Sequence, residues 1–208
     1  MDQDSAAHWQ TVYQSKDRAA VSWFRPHLDA SLALLKRAGL NPDSRVIDVG
    51  GGASTLVDDL LDLGVRHVTV LDISAAALDV ARQRPGARAA KVDWLVADVT
   101  RAQLAPQSYD LWHDRATLHF LVNPADAARY VATATHAIAN GGHAVIGGFA
   151  TDGPEQCSRL PVVRRDAEDV VKLFGPAFSL IQSERELHAT PWGTPQAFAY
   201  ALLRKAKD

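Results

Sequence analysis

Cysteine is almost absent from this chain: Cys157 is the single one in 208 residues. An internal disulfide is therefore impossible, and no cysteine cluster with zinc-finger spacing can form. An excess of either charge is lacking as well, since 22 Lys+Arg against 24 Asp+Glu leave a formal net charge of −2. That balance sets up no field to draw in nucleic acid or an anionic membrane. No apolar run approaches the roughly 18 residues of a membrane-spanning helix. The opening Met1-Asp2-Gln3-Asp4 is acidic and has no apolar stretch of the secretory kind. Internal repeats and low-complexity tracts are missing, and the 13 Gly and 10 Pro are spread as punctuation rather than gathered in a linker. What is present is ordinary for a protein with a real core: 47% hydrophobic and 22% charged residues. The expectation is a cytoplasmic, reduced, single-domain protein without nucleic-acid or membrane partners and without a bound metal.

From Arg45 onward, short β-rich runs alternate with helical patterns. Arg45–Val49, His67–Leu71, Trp94–Val96, Tyr109–Trp112 and His143–Phe149 read as strands. Helices are expected over Ser54–Leu63, over Ser74–Arg84 with Ser74 as cap and Pro85-Gly86 as stop, and over Ala125–Ala139 behind Asn123-Pro124. Asn140-Gly141-Gly142 should end the last of these. Such alternation implies an α/β fold, a doubly wound, mostly parallel sheet with helices on both faces. Past Phe149 the rhythm breaks. A helix is expected over Asp166–Phe174, and Phe178–Ile181 and Ala197–Leu203 are apolar runs with no helix between them, as in an antiparallel edge hairpin. Before the sheet, Trp9–Gly39 should hold one amphipathic helix around Leu28–Leu35.

The most informative stretch is Val46-Ile47-Asp48-Val49-Gly50-Gly51-Gly52-Ala53-Ser54. A glycine turn between strand and helix lets the backbone approach a ligand at the helix N-terminus. Asp48 lies within the end of the strand, where an idle carboxylate would be costly. Asp72 ends the second strand and Asp98 follows the third, so three acids share the carboxyl-terminal rim, where ligands of such sheets bind. A dinucleotide fingerprint would want a third glycine where Thr55 stands, and an acid ahead of the glycines suits a cationic ligand better than a pyrophosphate. Asp48-x-Gly50-x-Gly52 followed by Asp72 and Asp98 resembles the class I S-adenosylmethionine (SAM)-dependent methyltransferases, of the small bacterial type. The resemblance covers about Arg45–Phe149. It implies a Rossmann-like sheet of seven strands with the last antiparallel, and SAM as cofactor. Asp48 and Gly50, Gly51 and Gly52 would lie at its aminoacyl end. Asp72, with Ile73, would hold the ribose, and Asp98, with Val99, the adenine.

Family resemblance places the reacting groups after the fourth strand, in His113-Asp114-Arg115-Ala116-Thr117-Leu118-His119-Phe120. Amino-methylating relatives that act on bases or amides often carry Asn/Asp-Pro-Pro-aromatic there, a pattern this chain lacks, which disfavours nucleic-acid base methylation. His119 is the first candidate for a base, a role that suits an imidazole near neutral pH, followed by Asp114 and His113. Cys157 and Arg159, in the loop after the fifth strand, and His188, in the terminal connection, are candidate substrate contacts. Trp9, Tyr13, Trp23 and Phe24 form a dense aromatic group that could lid the cofactor, Trp23 through cation–π attraction to its sulfonium. Their arrangement looks like the opening segment of small bacterial methyltransferases and of some protein-lysine methylating relatives.

The expected organisation is one methyltransferase domain over 1–208. Residues 1–40 would form a helical lid segment, 45–149 the cofactor-binding core, and 150–208 a substrate loop and terminal β-hairpin. The expected function is methyl transfer to a small-molecule acceptor. A thiol or chalcogen is suggested by Cys157 and the histidines, with some likeness to tellurite-resistance methyltransferases. A carboxylate is suggested by the arginines and a distant similarity to trans-aconitate methyltransferases. The alternatives are a protein-lysine methyltransferase and a non-catalytic SAM-binding module.

Overall fold

The computed structural model describes residues 3–15 and 21–207. Its centre is a seven-stranded sheet. Strands β1 (Arg45–Val49), β2 (His67–Asp72), β3 (Val92–Val96), β4 (Tyr109–Arg115) and β5 (Ile138–Phe149) run parallel. A short hairpin of β6 (Gln156–Cys157) and β7 (Leu160–Pro161) stands apart from the sheet. The sheet is completed by β8 (Phe178–Ala189) and β9 (Pro195–Lys205), with β9 antiparallel to both β5 and β8. The spatial order is β3-β2-β1-β4-β5-β9-β8. The chain therefore winds outward from β1 in both directions, and the reversal between β1 and β4 opens a crevice at their carboxyl ends.

Both faces are covered, which is why β1 and β2 are almost wholly apolar: Val46, Ile47, Val49, Val68, Val70 and Leu71 are all buried. Helices α2 (Asp29–Arg37), α3 (Leu56–Asp62) and α4 (Ala75–Gln83) pack Leu34, Leu35, Leu56, Leu60 and Leu78 on one face. On the other, α5 (Pro124–Ala137) and α6 (Ala167–Phe174) contribute Tyr130, Ala134, Val170 and Phe174. Each fully buried side chain of this size adds about 1.5–3 kcal/mol. Caps fix the helix starts: Ser74 accepts from the Ala77 amide, Asn123 from Ala125, and Asp166 and Asp169 form a capping box ahead of α6. Among the described residues no helix is long and apolar enough to cross a membrane.

Three expectations from the sequence are corrected. The N-terminal segment holds a second helix, α1 (Gln3–Ser15), which packs on α4. Polar residues surround it on most sides, so periodicity gave no clear stripe, while Trp9 and Val12 are buried. Asn140-Gly141-Gly142 does not stop α5, which ends at Ala137; it is an irregular stretch inside β5, across which the pairing to β4 shifts register. The terminal hairpin is far longer than its apolar runs, because Gln182–Ala189 pairs through its backbone while alternating outward.

Candidate active site at the strand ends

The crevice is walled on one side by the ends of β1, β2 and β3. Gly50 leaves β1 with φ +67°, a left-handed conformation that glycine alone adopts freely, and its missing Cβ makes room for the Thr117 hydroxyl. That hydroxyl donates to the Val49 carbonyl at 3.1 Å, so the β1 turn and the β4 turn lock together. Asp48 is buried; its Oδ1 accepts from His113 Nδ1 at 2.7 Å, and His113 Nε2 meets Ser31 Oγ at 2.8 Å. Its second oxygen, Oδ2, is buried without a partner and lies where a Cβ on Gly51 would fall. Asp72 accepts from the Ser74 amide at 2.8 Å. Burial pushes its pKa up to about 6, against the pull of nearby backbone amides. Asp98 accepts from the amide and hydroxyl of Thr100 at 2.9 and 2.8 Å, which fixes its carboxylate on the rim beside Val99. Asp72, Ile73, Asp98, Val99 and Gly50 line one continuous cleft, and Asp48, Gly50 and Gly51 a smaller recess adjoining it, with Trp23 bordering both. Gly52 lines neither; its lack of a side chain lets Asp72 and Ala77 of α4 come close.

The cleft, with the open solvent at its mouth, spans about 730 Å³ and continues past these acids into an aromatic half. Trp9 of α1 stands edge-on to Trp23 and Phe120, with ring centroids 5.8 and 5.0 Å apart. His119 lies in the turn Leu118–Phe120, its ring 4.3 Å from Phe120 and 5.0 Å from Phe149, and both its nitrogens are buried without partners. Burial, with Arg115 and Arg165 nearby, drives its pKa down to about 3. Arg115, the last residue of β4, donates from Nε to the Tyr200 hydroxyl at 3.0 Å and from Nη1 to the Trp23 carbonyl at 3.1 Å. Its guanidinium rests 4.3 Å over the Phe198 ring, and Nη2 is buried with no partner. Cys157, at the mouth of a hairpin whose turn residues Ser158 and Arg159 both have positive φ, completes this wall.

Several candidates from the sequence stand elsewhere than expected. Asp114 lies beneath the cleft. Its carboxylate is taken up by the Tyr130 hydroxyl at 2.6 Å and the amides of Thr117 and Leu118 at 2.8 and 3.1 Å, so it shapes the turn that carries His119. Tyr130 in turn accepts from the Trp112 indole, a chain of buried polar groups with every member paired. His113 is likewise consumed, by Asp48 and Ser31, and borders only the recess. His188 donates from Nε2 to the Ser22 carbonyl at 2.6 Å and so anchors the segment carrying Trp23, without lining the cleft. Arg159 is exposed at the hairpin tip. His119 itself is in the cleft, but an imidazole with so low a pKa is neutral at working pH and a poor proton acceptor. Arg115, Thr117, Phe149 and Phe198 line the cleft and were not singled out by sequence; their partners lie too far along the chain for spacing to show them.

A Rossmann-like sheet with its last-added strand antiparallel and an acid-rimmed glycine loop defines the class I methyltransferase fold. Comparison with known proteins agrees with this: residues 46–142 match a family model described as a methyltransferase domain. The mouse (Mus musculus) protein "eEF1A lysine and N-terminal methyltransferase" is 26% identical over 114 residues, 55% of this chain and 16% of that protein. Its zebrafish (Danio rerio) counterpart is 27% identical over 144 residues, 68% of this chain and 21% of that one. The match thus spans only a small part of these relatives. Among solved structures, a protein studied for the conversion of a disulfide bond into a thioacetal group during echinomycin biosynthesis superposes with a TM-score of 0.78 and 20% identity, over 97% of this chain and 92% of that one. A Burkholderia thailandensis 1,6-didemethyltoxoflavin-N1-methyltransferase, bound to its substrate and S-adenosylhomocysteine, gives 0.69 and 20%, over 98% and 85%.

The residues present fit the cofactor that the family implies. The orphaned Asp48 Oδ2, beside a glycine with no room for a side chain, accepts a donor such as an α-ammonium group. Asp72 and Asp98 offer carboxylates to hydroxyl and amino donors, and the bare Gly50–Gly51 backbone allows close approach.

Proposed function

We propose that this protein transfers a methyl group from SAM to a small-molecule acceptor held in the aromatic half of the cleft. SAM supplies the methyl as a carbon on a sulfonium, so the protein's task is alignment and desolvation. Asp48, Asp72 and Asp98 would hold the cofactor from one side, with Gly50, Gly51, Ile73 and Val99 as the bed and Trp23 as the cover. The observation that carries the reading is the cleft's continuation: Trp9, Trp23, Phe120, Phe149 and Phe198 line it beyond the acids, an apolar lining that supports a small acceptor. A thiol, a chalcogen oxyanion or a carboxylate suits the Cys157, His119 and Arg115 wall. The reading includes a cytoplasmic location, in keeping with the single cysteine.

A second reading has support in the curated relatives, which are named as eEF1A lysine and N-terminal methyltransferases. A lysine ammonium entering this chamber would meet Arg115 and no carboxylate of the acceptor side, which favours the small molecule. The test is release of S-adenosylhomocysteine in the presence of thiols, selenite, tellurite, polycarboxylates and a lysine-bearing elongation-factor substrate. Turnover with a small acceptor is expected. Methylation of the protein substrate alone would overturn the proposal, and normal cofactor affinity with no turnover at all would favour a non-catalytic module.

A further inference from the structure

Arg115 and His119 bring three buried polar atoms to the cleft wall that no described residue satisfies: Nη2 of Arg115, and Nδ1 and Nε2 of His119. Folded proteins pair nearly all buried polar groups, so orphans on a cavity wall mark where a ligand's polar group belongs. The charges around them share one sign. Arg115 enters from the end of β4, and Arg165, ahead of α6, lies by His119 with its Nη1 3.4 Å from the Leu118 carbonyl. Asp72 and Asp98 line the same cleft at its strand-end side, and among the described residues no other carboxylate lines it. Glu186 stands behind Tyr200, whose hydroxyl donates to it at 2.7 Å while accepting from Arg115 Nε. Asp114 is committed to Tyr130 and the turn amides. The remaining titratable neighbours, Tyr13 of α1 and Cys157 of the hairpin, add no negative charge while protonated.

Building on the methyl-transfer reading above, we infer that the acceptor is a small, largely apolar molecule bound as a preformed anion, its charge on Arg115 Nη2 and its body against Phe149 and Phe198, and that this anion is the nucleophile. A lone pair of the anion forms the bond to the methyl carbon as the carbon–sulfur bond breaks and its electron pair passes to sulfur. No proton moves, so no base is needed, which matches a wall that offers none. A carboxylate or a thiolate meets this balance; an amine arriving as an ammonium ion does not. His119 then serves as a neutral hydrogen-bond partner that orients the acceptor.

The experiment is calorimetry on the full chain saturated with S-adenosylhomocysteine, using phenylacetate, its neutral isostere phenylacetamide, and benzenethiol. Phenylacetate is expected to bind at least tenfold more tightly than the amide, or benzenethiol to tighten as rising pH ionises it; the first identifies a carboxylate and the second a thiolate. Arg115→Gln should abolish the preference and Arg115→Lys restore part of it, with S-adenosylhomocysteine affinity kept in both. Neither anion outbinding the amide, or a preference that survives Arg115→Gln, overturns the inference. A loss of S-adenosylhomocysteine affinity in Arg115→Gln as large as that for the acid would assign the guanidinium to the cofactor's carboxylate, and also overturns it. Failure of the wild type to bind S-adenosylhomocysteine would instead strike the methyltransferase reading itself.

Discussion

The two halves of the cleft carry opposite charge. Around the β1–β3 ends stand Asp48, Asp72 and Asp98; Arg115, at the end of β4, borders both the cleft and the Asp48 recess, and Arg165 lies by His119. On the proposed reading, each half is matched to a charged reactant and less well to the neutral product it becomes. A low-dielectric chamber strengthens both attractions and strips water from the reacting pair. The halves also differ in construction. The acid side is built from strand ends and the turns directly after them, whereas the acceptor side needs α1, the segment before α2, β4, β5, the hairpin and β9 together. The first should be sensitive to local backbone changes, the second to distant packing.

The largest effect is expected from Gly50→Ala. A Cβ there meets the Thr117 hydroxyl, and φ +67° costs a non-glycine residue further strain. Together these should remove about 3 kcal/mol of stability. Because Thr117 belongs to the β4 turn, this change strikes both halves at once, and cofactor binding should be lost in titration calorimetry. A folded variant with unchanged affinity would show that the turn is not the cofactor's bed.

Asp72→Asn should separate affinity from stability. Cofactor binding is expected to weaken by about 1–3 kcal/mol through lost charge-assisted hydrogen bonds. The free protein should gain stability at neutral pH. Asp72 is held at a pKa of about 6, above the value of an unfolded chain, so between the two values the native state binds more protons. Stability therefore falls as pH rises through that window, and the penalty is complete above it. Asn removes the penalty. For the same reason wild-type cofactor affinity should drop as pH falls below about 6, where Asp72 takes up its proton. A lower melting temperature for the variant at pH 7.5, together with unchanged affinity, would refute the assignment.

Tyr130→Phe acts on the other half alone. It strips a donor from Asp114 and an acceptor from Trp112, at a cost of about 1–2 kcal/mol of stability. Asp114 holds the amides of Thr117 and Leu118, so the turn carrying His119 loosens. Acceptor kcat/KM should fall while cofactor Kd stays within a factor of two; an equal fall in both would break the division into halves.

That division also explains what could be read in advance. Asp48, Asp72 and Asp98 are legible because a strand end is a local feature, and their burial follows from the apolar runs that carry them. Arg115 is not, because its orphaned Nη2 has meaning only once Tyr200 and Trp23, 85 and 92 residues away, have engaged Nε and Nη1. His113 looks like a catalytic imidazole until Asp48, 65 residues away, and Ser31, 82 away, are seen to occupy both its nitrogens. The edge hairpin shows itself only in part, since outward-facing residues such as Glu184 and Arg185 pair through their backbones and leave no apolar trace.

The smallest effect is expected at a side chain that ties α1 to the start of α4. Gln10 of α1 accepts through Oε1 from the Ser74 hydroxyl at 3.1 Å and from the Ala76 amide at 3.2 Å, at the start of α4 and two residues beyond Asp72. Gln10→Ala removes both bonds but leaves Ser74 capping Ala77, so α4 should be intact. Two partly exposed hydrogen bonds are worth about 1 kcal/mol together. Their loss should appear as faster dissociation of S-adenosylhomocysteine and a few-fold weaker acceptor binding, because Trp9 and Tyr13 ride on the same helix. Stopped-flow dissociation rates measure the first and steady-state kinetics the second. Unchanged rates would mean that Trp9, through its rings' contact with Trp23 and Phe120, holds α1 in place without the tether.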